Sequence, residues 1–173
     1  IKLLQLADQY PNIHMFFNHK CIASNLETCE TTFVNEKGET VVDKADVVLG
    51  TDGAFSALRD AMQRTPRFNF SQTYENYGYK ELEIVPNADG DFQMDKNSLH
   101  IWPRQSFMMI ALPNPGGNFT CTLFMPFDGT PGIDDLKTPE QIQDFFNTYF
   151  PDAVPMMPGL VDDYQQNPTG MLT

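Results

Sequence analysis

The stretch that most constrains the fold of this chain runs from Val47 to Arg59 and reads Val-Val-Leu-Gly-Thr-Asp-Gly-Ala-Phe-Ser-Ala-Leu-Arg. Residues 47–49 are a short apolar run, typical of a strand buried in a parallel sheet. Gly50 and Gly53 permit backbone angles and close approaches that a Cβ would block. Residues 54–62 are good helix-forming material. The stretch therefore predicts a strand, a tight turn and a helix.

Asp52 lies between the two glycines, at the predicted carboxyl end of the strand, where open α/β sheets bind their ligands. The free N–H groups of the following helix would point back towards this turn. A carboxylate and a helix N-terminus at one crevice suit a ligand that has both hydroxyl and phosphate groups. The alternative interpretation is structural: the glycines serve the turn and the aspartate caps the helix.

Residues 50–59 resemble the G-x-D-G-x-x-S-x-x-R signature of the single-component FAD-dependent aromatic hydroxylases. Further segments narrow the resemblance to the kynurenine 3-monooxygenase family over nearly the whole chain. These segments are Gly78-Tyr79-Lys80-Glu81-Leu82, Leu-His-Ile-Trp-Pro-Arg at 99–104, Phe-Met-Met-Ile-Ala-Leu-Pro-Asn at 107–114 and Phe-Thr-Cys-Thr-Leu-Phe-Met-Pro-Phe at 119–127.

The resemblance implies an FAD- and NADPH-dependent monooxygenase that hydroxylates L-kynurenine to 3-hydroxykynurenine with molecular oxygen, through a flavin C4a-hydroperoxide. It implies FAD contacts at Asp52, at Gly53 and at the backbone of Cys21, and it assigns no catalytic side chain and no metal. It places the apolar wall of the substrate pocket on Leu99, Met108, Ile110, Leu112 and Phe124. Two alternatives stay open: another FAD hydroxylase with a phenolic or indole substrate, and a non-catalytic β-rich binding module.

Alternation within residues 107–112 permits such a wall, because period two puts Met108, Ile110 and Leu112 on one face of a strand. A stripe of this kind is also typical of an ordinary sheet core, and in an arbitrary sheet that is its commoner role. The residues alone do not choose between the two interpretations.

The order of the predicted elements indicates two fold classes in succession along the chain, an α/β part followed by an α+β part. Residues 1–67 read as the end of a Rossmann-like FAD-binding subdomain, and residues 68–173 as a mainly antiparallel β-sheet substrate subdomain with a covering helix. Both are expected to be incomplete, because the chain contains neither a G-x-G-x-x-G nor the G-D motif by which the family contacts the flavin ring. The resemblance also places the Arg and Tyr that hold the amino-acid end of the substrate before Ile1, so that this piece alone is expected to be inactive. The other predicted elements are a helix at 1–10, a hairpin turn at 36–39, and a helix at 140–149 capped by Thr138. Strands are predicted at 13–23, 29–35, 40–42, 77–85, 91–94, 99–102, 107–112, 119–125 and 161–165.

Charge and cysteine content exclude some classes of function. Eleven basic against twenty-three acidic residues give a formal charge of −12, which excludes an electrostatic nucleic-acid binder. Three cysteines at no metal-ligand spacing favour a reducing compartment. No run approaches the roughly twenty apolar residues of a membrane helix. The location predicted is cytoplasmic, and the resemblance implies the mitochondrial outer membrane for eukaryotic forms with a C-terminal anchor.

Overall fold

A computed structural model describes residues 2–173, so that the predicted helix start at Ile1 lies outside the described residues. The chain divides into two compact units, with the division between Ser71 and Gln72. The fold is mixed α/β with two antiparallel sheets, one of three strands and one of five. The assignment of residues 1–67 to FAD binding and of 68–173 to substrate binding stays a prediction.

The first unit contains a three-stranded antiparallel meander, in which β2 (Glu30–Val34) pairs with both β1 (Lys20–Asn25) and β3 (Thr40–Lys44). The predicted hairpin turn is confirmed, because Asn35 Oδ1 accepts the N–H groups of Lys37 and Glu39 at 3.0 and 2.9 Å. Gly38 adopts the positive φ of +79° that this tight turn requires. The helices of this unit are α1 Lys2–Ala7, before the meander, and α2 Ala57–Gln63, after it.

Two predicted strands of the first unit need correction. The strand predicted at 13–23 begins only at Lys20, because Asn18 has a φ of 57°, which interrupts an extended backbone. Residues 47–49 form no strand, and Val47 and Leu49 are 70% and 83% exposed. A buried parallel strand needs hydrogen-bonded neighbours on its edges, and no strand of residues 2–173 pairs with this segment.

The elements of the second unit are β4 Tyr77–Ile84, β5 His100–Pro103, β6 Met108–Pro113, β7 Phe119–Pro126, α3 Pro139–Tyr149, α4 Leu160–Gln166 and β8 Gly170–Met171. Its strands form a five-stranded sheet of order β5-β6-β7-β4-β8, in which every neighbouring pair is antiparallel. Two short 3-10 turns, Ile133–Asp135 and Val154–Met156, precede and follow α3.

All buried apolar side chains among the described residues belong to the second unit, between Leu82 and Tyr164. One face of the sheet, with Met109 and Phe119, shares a single core with the inward side chains of α3 and α4. Phe146 of α3 is fully buried there and contacts the rings of Phe145, Phe150 and Tyr164. In contrast, the described residues of the first unit bury only polar side chains, Thr31 and Ser56.

The helix predicted at 140–149 is confirmed, together with its cap. Thr138 Oγ1 accepts the Gln141 N–H at 3.3 Å, and Gln141 Oε1 accepts the Thr138 N–H at 2.9 Å, which completes a capping box. Pro139 follows at the first helical position, where its missing N–H costs nothing.

Two other predicted strands of the second unit are wrong. Residues 161–165 lie in α4, because Leu160 and Tyr164, four residues apart, share one helix face and are both buried. Residues 91–94 are irregular, because Asn87 Oδ1 accepts the N–H groups of Asp89 and Asp91 and so closes a turn. Among the helices of residues 2–173, none has the length and apolar character of a membrane span.

Candidate functional site

A cleft of about 600 Å³ opens in the first unit beside the turn that follows residues 47–49. Its walls come from β1, β2, residues 48–52 and the beginning of α2. Cys21 and Asp52 both line it, so the cleft brings together two of the three residues that the resemblance assigns to FAD. Gly53, the third, follows Asp52 in the chain but does not line the cleft.

Asp52 holds the beginning of α2. Its Oδ2 accepts the Ala57 N–H at 2.8 Å, while Ser56 is the N-cap and its Oγ accepts the Arg59 N–H at 3.0 Å. A hydrogen bond with Ser56, together with those from backbone N–H groups, lowers the pKa of the Asp52 carboxyl. The structural role foreseen for this aspartate is therefore present. Because the carboxylate is also exposed and lines the cleft, capping leaves it accessible to a ligand.

The turn around Asp52 requires both of its glycines. Gly53 has a φ of +77°, in the left-handed region that favours glycine. A Cβ on Gly50 would lie 2.6 Å from Leu58 Cδ2, so glycine lets the chain pass closely beside α2. Arg59 braces the same turn, because its Nη1 donates to Gly53 O at 3.1 Å and its Nη2 donates to Ala54 O. The guanidinium rests 4.4 Å from the centroid of the Phe70 ring.

Cys21 occupies an irregular point of β1, where a register shift lies between Cys21 and Ala23. Partial burial, and then the negative charge of Asp52, raise the pKa of its thiol. The thiol is therefore neutral near pH 7, and it donates a weak hydrogen bond to Ala23 O at 3.9 Å. Within residues 2–173 no group of three or more His, Cys, Asp or Glu side chains is arranged to hold a metal ion.

The five residues that the resemblance assigns to the pocket wall share one face of the five-stranded sheet. This face is the one opposite the core: Met109 of β6 is 0% exposed, whereas its neighbour Met108 is 41% exposed. Leu99 and Leu112 are also exposed, while Ile110 and Phe124 are half-buried. The stripe in β6 is therefore not part of the core of this unit.

Strand register joins these residues into one patch. Met108 pairs with Phe124 of β7, and Ile110 pairs with Ile101 of β5. Because His100 pairs with Ala111, Leu99 reaches the position alongside Leu112. Ile101, which is exposed and was not predicted, shares the alternation of Leu99. The name apolar patch is used below for Leu99, Ile101, Met108, Ile110, Leu112 and Phe124.

A cavity of about 470 Å³ lies at one end of the apolar patch, beside Met108 and Phe124. Arg104, in the β5–β6 turn, forms part of its rim. The Arg104 Nε donates to Tyr149 O at 2.6 Å, and its guanidinium lies 4.9 Å from the centroid of the Phe150 ring. Arg104 therefore attaches the β5–β6 turn to the end of α3, so that this part of the cavity rim is held in place.

Comparison with known proteins gives close relatives under one name. Kynurenine 3-monooxygenase of Dictyostelium discoideum is 47% identical over 171 residues, which cover 99% of this chain and 36% of the relative. Kynurenine 3-monooxygenase of Flavobacterium johnsoniae is 51% identical over 138 residues, which cover 80% of this chain and 31% of the relative. The chain thus spans about a third of the length of the curated relatives it matches.

Solved structures give a likeness of fold alone. Klebsiella pneumoniae HpxO, solved in complex with FAD and uric acid, has a TM-score of 0.51 and 14% identity. The match covers 89% of this chain and 37% of that one. No protein-family model matches the chain.

Proposed function

We propose that this chain, which groups by sequence with the kynurenine 3-monooxygenases, is part of an FAD- and NADPH-dependent enzyme that hydroxylates L-kynurenine to 3-hydroxykynurenine. The observation that carries the proposal is the 47% identity over 171 residues, which include both compact units. The family resemblance that residues 50–59 and the later motifs suggest is confirmed by these relatives. Molecular oxygen and L-kynurenine are the proposed small-molecule partners.

In this proposal the first unit is the end of a Rossmann-like FAD-binding domain. Asp52, Gly53 and the backbone of Cys21 would hold FAD. The cleft of about 600 Å³ and the Gly53 φ of +77° support the fit, because an extended nucleotide needs room and close backbone approach. FAD, once reduced by NADPH, would supply the activation of oxygen that the ring hydroxylation requires. Besides its contact with FAD, Asp52 would keep the turn and the start of α2 in place through the hydrogen bond that it accepts from the Ala57 N–H.

The second unit would supply one wall of the substrate pocket. In this proposal Leu99, Met108, Ile110, Leu112 and Phe124 contact the kynurenine ring and exclude water from it. The ring amino group activates the neighbouring carbon, so that the protein contributes placement and dryness and no general base is assigned. Support comes from the exposure of large apolar side chains on a sheet face that the core does not use.

The free state of all three cysteines supports a reducing compartment, such as the cytoplasm, for this part of the enzyme. Two alternatives remain in competition with the proposal. One is an FAD hydroxylase that acts on a phenolic acid or an indole, and the other is a β-rich binding module without catalysis.

The test uses the full-length protein that carries this sequence. NADPH oxidation is measured with L-kynurenine and with p-hydroxybenzoate, and the product is identified by mass spectrometry. Stimulation by L-kynurenine with formation of 3-hydroxykynurenine is expected. Stimulation by p-hydroxybenzoate alone would favour the other hydroxylase.

Variants of the turn test the FAD assignment. Asp52→Ala is expected to lower FAD content, whereas Asp60→Ala, an exposed aspartate of α2 itself, is a matched control that retains it. Asp52→Asn keeps an oxygen that can accept the Ala57 N–H, and so separates loss of the cap from loss of the charge. Unchanged FAD content and turnover in Asp52→Ala would contradict the FAD contact and support a purely structural role for the turn.

A further inference from the structure

A row of side chains crosses the five-stranded sheet beside the apolar patch. Register pairs Met108 with Phe124, Phe124 with Tyr79, and Tyr79 with Gly170. The row therefore runs from β6 through β7 and β4 to the edge strand β8. Tyr79 and Gly170 extend the face that carries the apolar patch beyond the residues assigned to it.

Gly170 leaves the space that the Tyr79 ring occupies. A Cβ built on Gly170 would lie 2.1 Å from Tyr79 Cζ and 2.3 Å from Cε1, far closer than carbon atoms approach. The Tyr79 ring therefore lies directly over the backbone of β8. Any side chain at residue 170 would displace this ring.

The Tyr79 ring in turn borders Phe124. The two ring centroids are 6.1 Å apart with an interplanar angle of 48°, within the range of a favourable aromatic pair. Phe124 has Met108 as its register partner on the other side. Phe124 therefore lies between Met108 and Tyr79 in this row, and its ring borders that of Tyr79.

The segment that carries Gly170 is firmly attached to β4. Leu172 N donates to Tyr77 O at 3.2 Å, and Asn167 Nδ2 donates to Glu81 O at 2.7 Å. Lys80 is a buried residue of β4, and its Nζ donates to Asn167 O at 2.6 Å. Because hydrogen bonds hold the backbone at both ends of this short segment, a side chain at residue 170 would displace the Tyr79 ring and not the backbone of β8.

We propose that Tyr79 is a positioning residue for the apolar patch, and that glycine at 170 sets where its ring lies. The inference rests on the proposed function, because the proposed function is what gives the apolar patch a planar aromatic substrate. Tyr79 acts through Phe124: it fixes the ring that ends the substrate wall. Gly170 acts through Tyr79, since it is the residue that leaves room for the tyrosine.

The test measures KM and kcat for L-kynurenine in the full-length protein. Tyr79→Ala and Gly170→Ala are each expected to raise KM about tenfold, the low end of what one misfit in an apolar pocket causes, with kcat and FAD content within about twofold of the parent. Tyr79→Phe keeps the aromatic ring, so its KM is expected to equal that of the unaltered protein. Gly159→Ala is the matched control in the same terminal segment, because its Cβ would meet Asp163 only at an ordinary 3.8 Å.

A double variant isolates the contact. In a Tyr79→Ala background, Gly170→Ala is expected to change KM no further, because the ring that the new Cβ would strike is absent. Additive effects of the two changes, or an unchanged KM in Tyr79→Ala, would overturn the positioning role. If Gly170→Ala does not fold, the Tyr79→Ala and Tyr79→Phe pair decides.

Failure of the proposed function is distinguishable from failure of this inference. If the unaltered protein shows no kynurenine-dependent NADPH oxidation, both are overturned. If it turns over L-kynurenine and KM is insensitive to Tyr79→Ala, only the positioning role falls.

Discussion

Two adjacent methionines of β6 offer a direct test of which sheet face is core. Met108 and Met109 differ by one position in the strand, and therefore point to opposite faces. Truncation of either to alanine removes the same atoms from the same strand. The difference between Met108→Ala and Met109→Ala in the free energy of unfolding therefore reports the face alone.

The expected magnitudes follow from burial. Met109 is 0% exposed, and truncation of a fully buried methionine costs about 2–5 kcal/mol, since a transfer term and a cavity term add. Complete burial of a methionine side chain contributes about 1.5–3 kcal/mol. Because Met108 is 41% exposed, only about three fifths of that transfer term applies, and the open face leaves no closed cavity. Met108→Ala is therefore expected to cost about 1 kcal/mol.

The assay is urea unfolding of this chain followed by the fluorescence of Trp102. Trp102 is the sole tryptophan of the sequence and lies in the second unit, so its signal reports that unit without contribution from the first. The free energies are comparable only if the two variants keep the same m value. Losses of stability that agree within about 0.5 kcal/mol, or a larger loss for Met108→Ala, would refute the assignment of the two faces.

Three further changes have expected outcomes that single measurements check. Thr138→Ala is expected to destabilise the second unit by about 1 kcal/mol through loss of the α3 cap, and no loss in the same fluorescence assay would contradict the capping role. Burial raises the pKa of the Cys121 thiol to about 12, so iodoacetamide at pH 8 should modify it only after unfolding, as mass spectrometry would show. Hydrogen bonds from Ser56 and the helix N–H groups lower the pKa of Asp52. The contribution of the Asp52 carboxylate to stability is therefore present above pH 3.8 and is lost as pH falls through the lowered pKa. In NMR spectra the chemical shift of the Ala57 amide should titrate below pH 3.8. This titration should be absent in Asp52→Ala.

Local chemistry made several elements of the second unit predictable. α3 follows from Thr138, Pro139 and Gln141, whose capping contacts lie within four residues of one another. β4 and β7 follow from alternation bounded by turn residues, since period two is a property of the strand itself. Elements specified by neighbours in sequence were therefore the ones that sequence reasoning found.

Elements that depend on distant partners were missed. Residues 47–49 have the composition of a buried strand, but composition does not supply the neighbouring strands that would pair with them. α4 has only two buried residues, Leu160 and Tyr164, so its seven residues carry too little periodicity to exclude a strand. In both cases the missing information lies outside the segment.

The apolar patch was predictable in part. The period-two alternation of β6 puts Met108, Ile110 and Leu112 on one face and their sequence neighbours on the other. Because the residues of both faces are apolar, the sequence of β6 does not show which face belongs to the core. The stronger signal lies in β7, where Thr120 and Thr122 share the face of Phe124 and mark it as the face away from the core. The role of Gly170 beside Tyr79 had no sequence signal, because ninety residues separate two side-by-side positions.

The uneven distribution of buried apolar side chains has a consequence for how the molecule fluctuates. Amide hydrogens of β4 and β7 lie over the core between Leu82 and Tyr164, so their exchange with deuterium requires opening of the whole second unit. Amides of β1 to β3 lie in a unit whose described residues bury no apolar side chain, and small local openings suffice to release them. A ligand that binds only to the first unit would therefore slow hydrogen exchange of the amides in β1 to β3. The exchange rates of the amides in the second unit would stay unchanged.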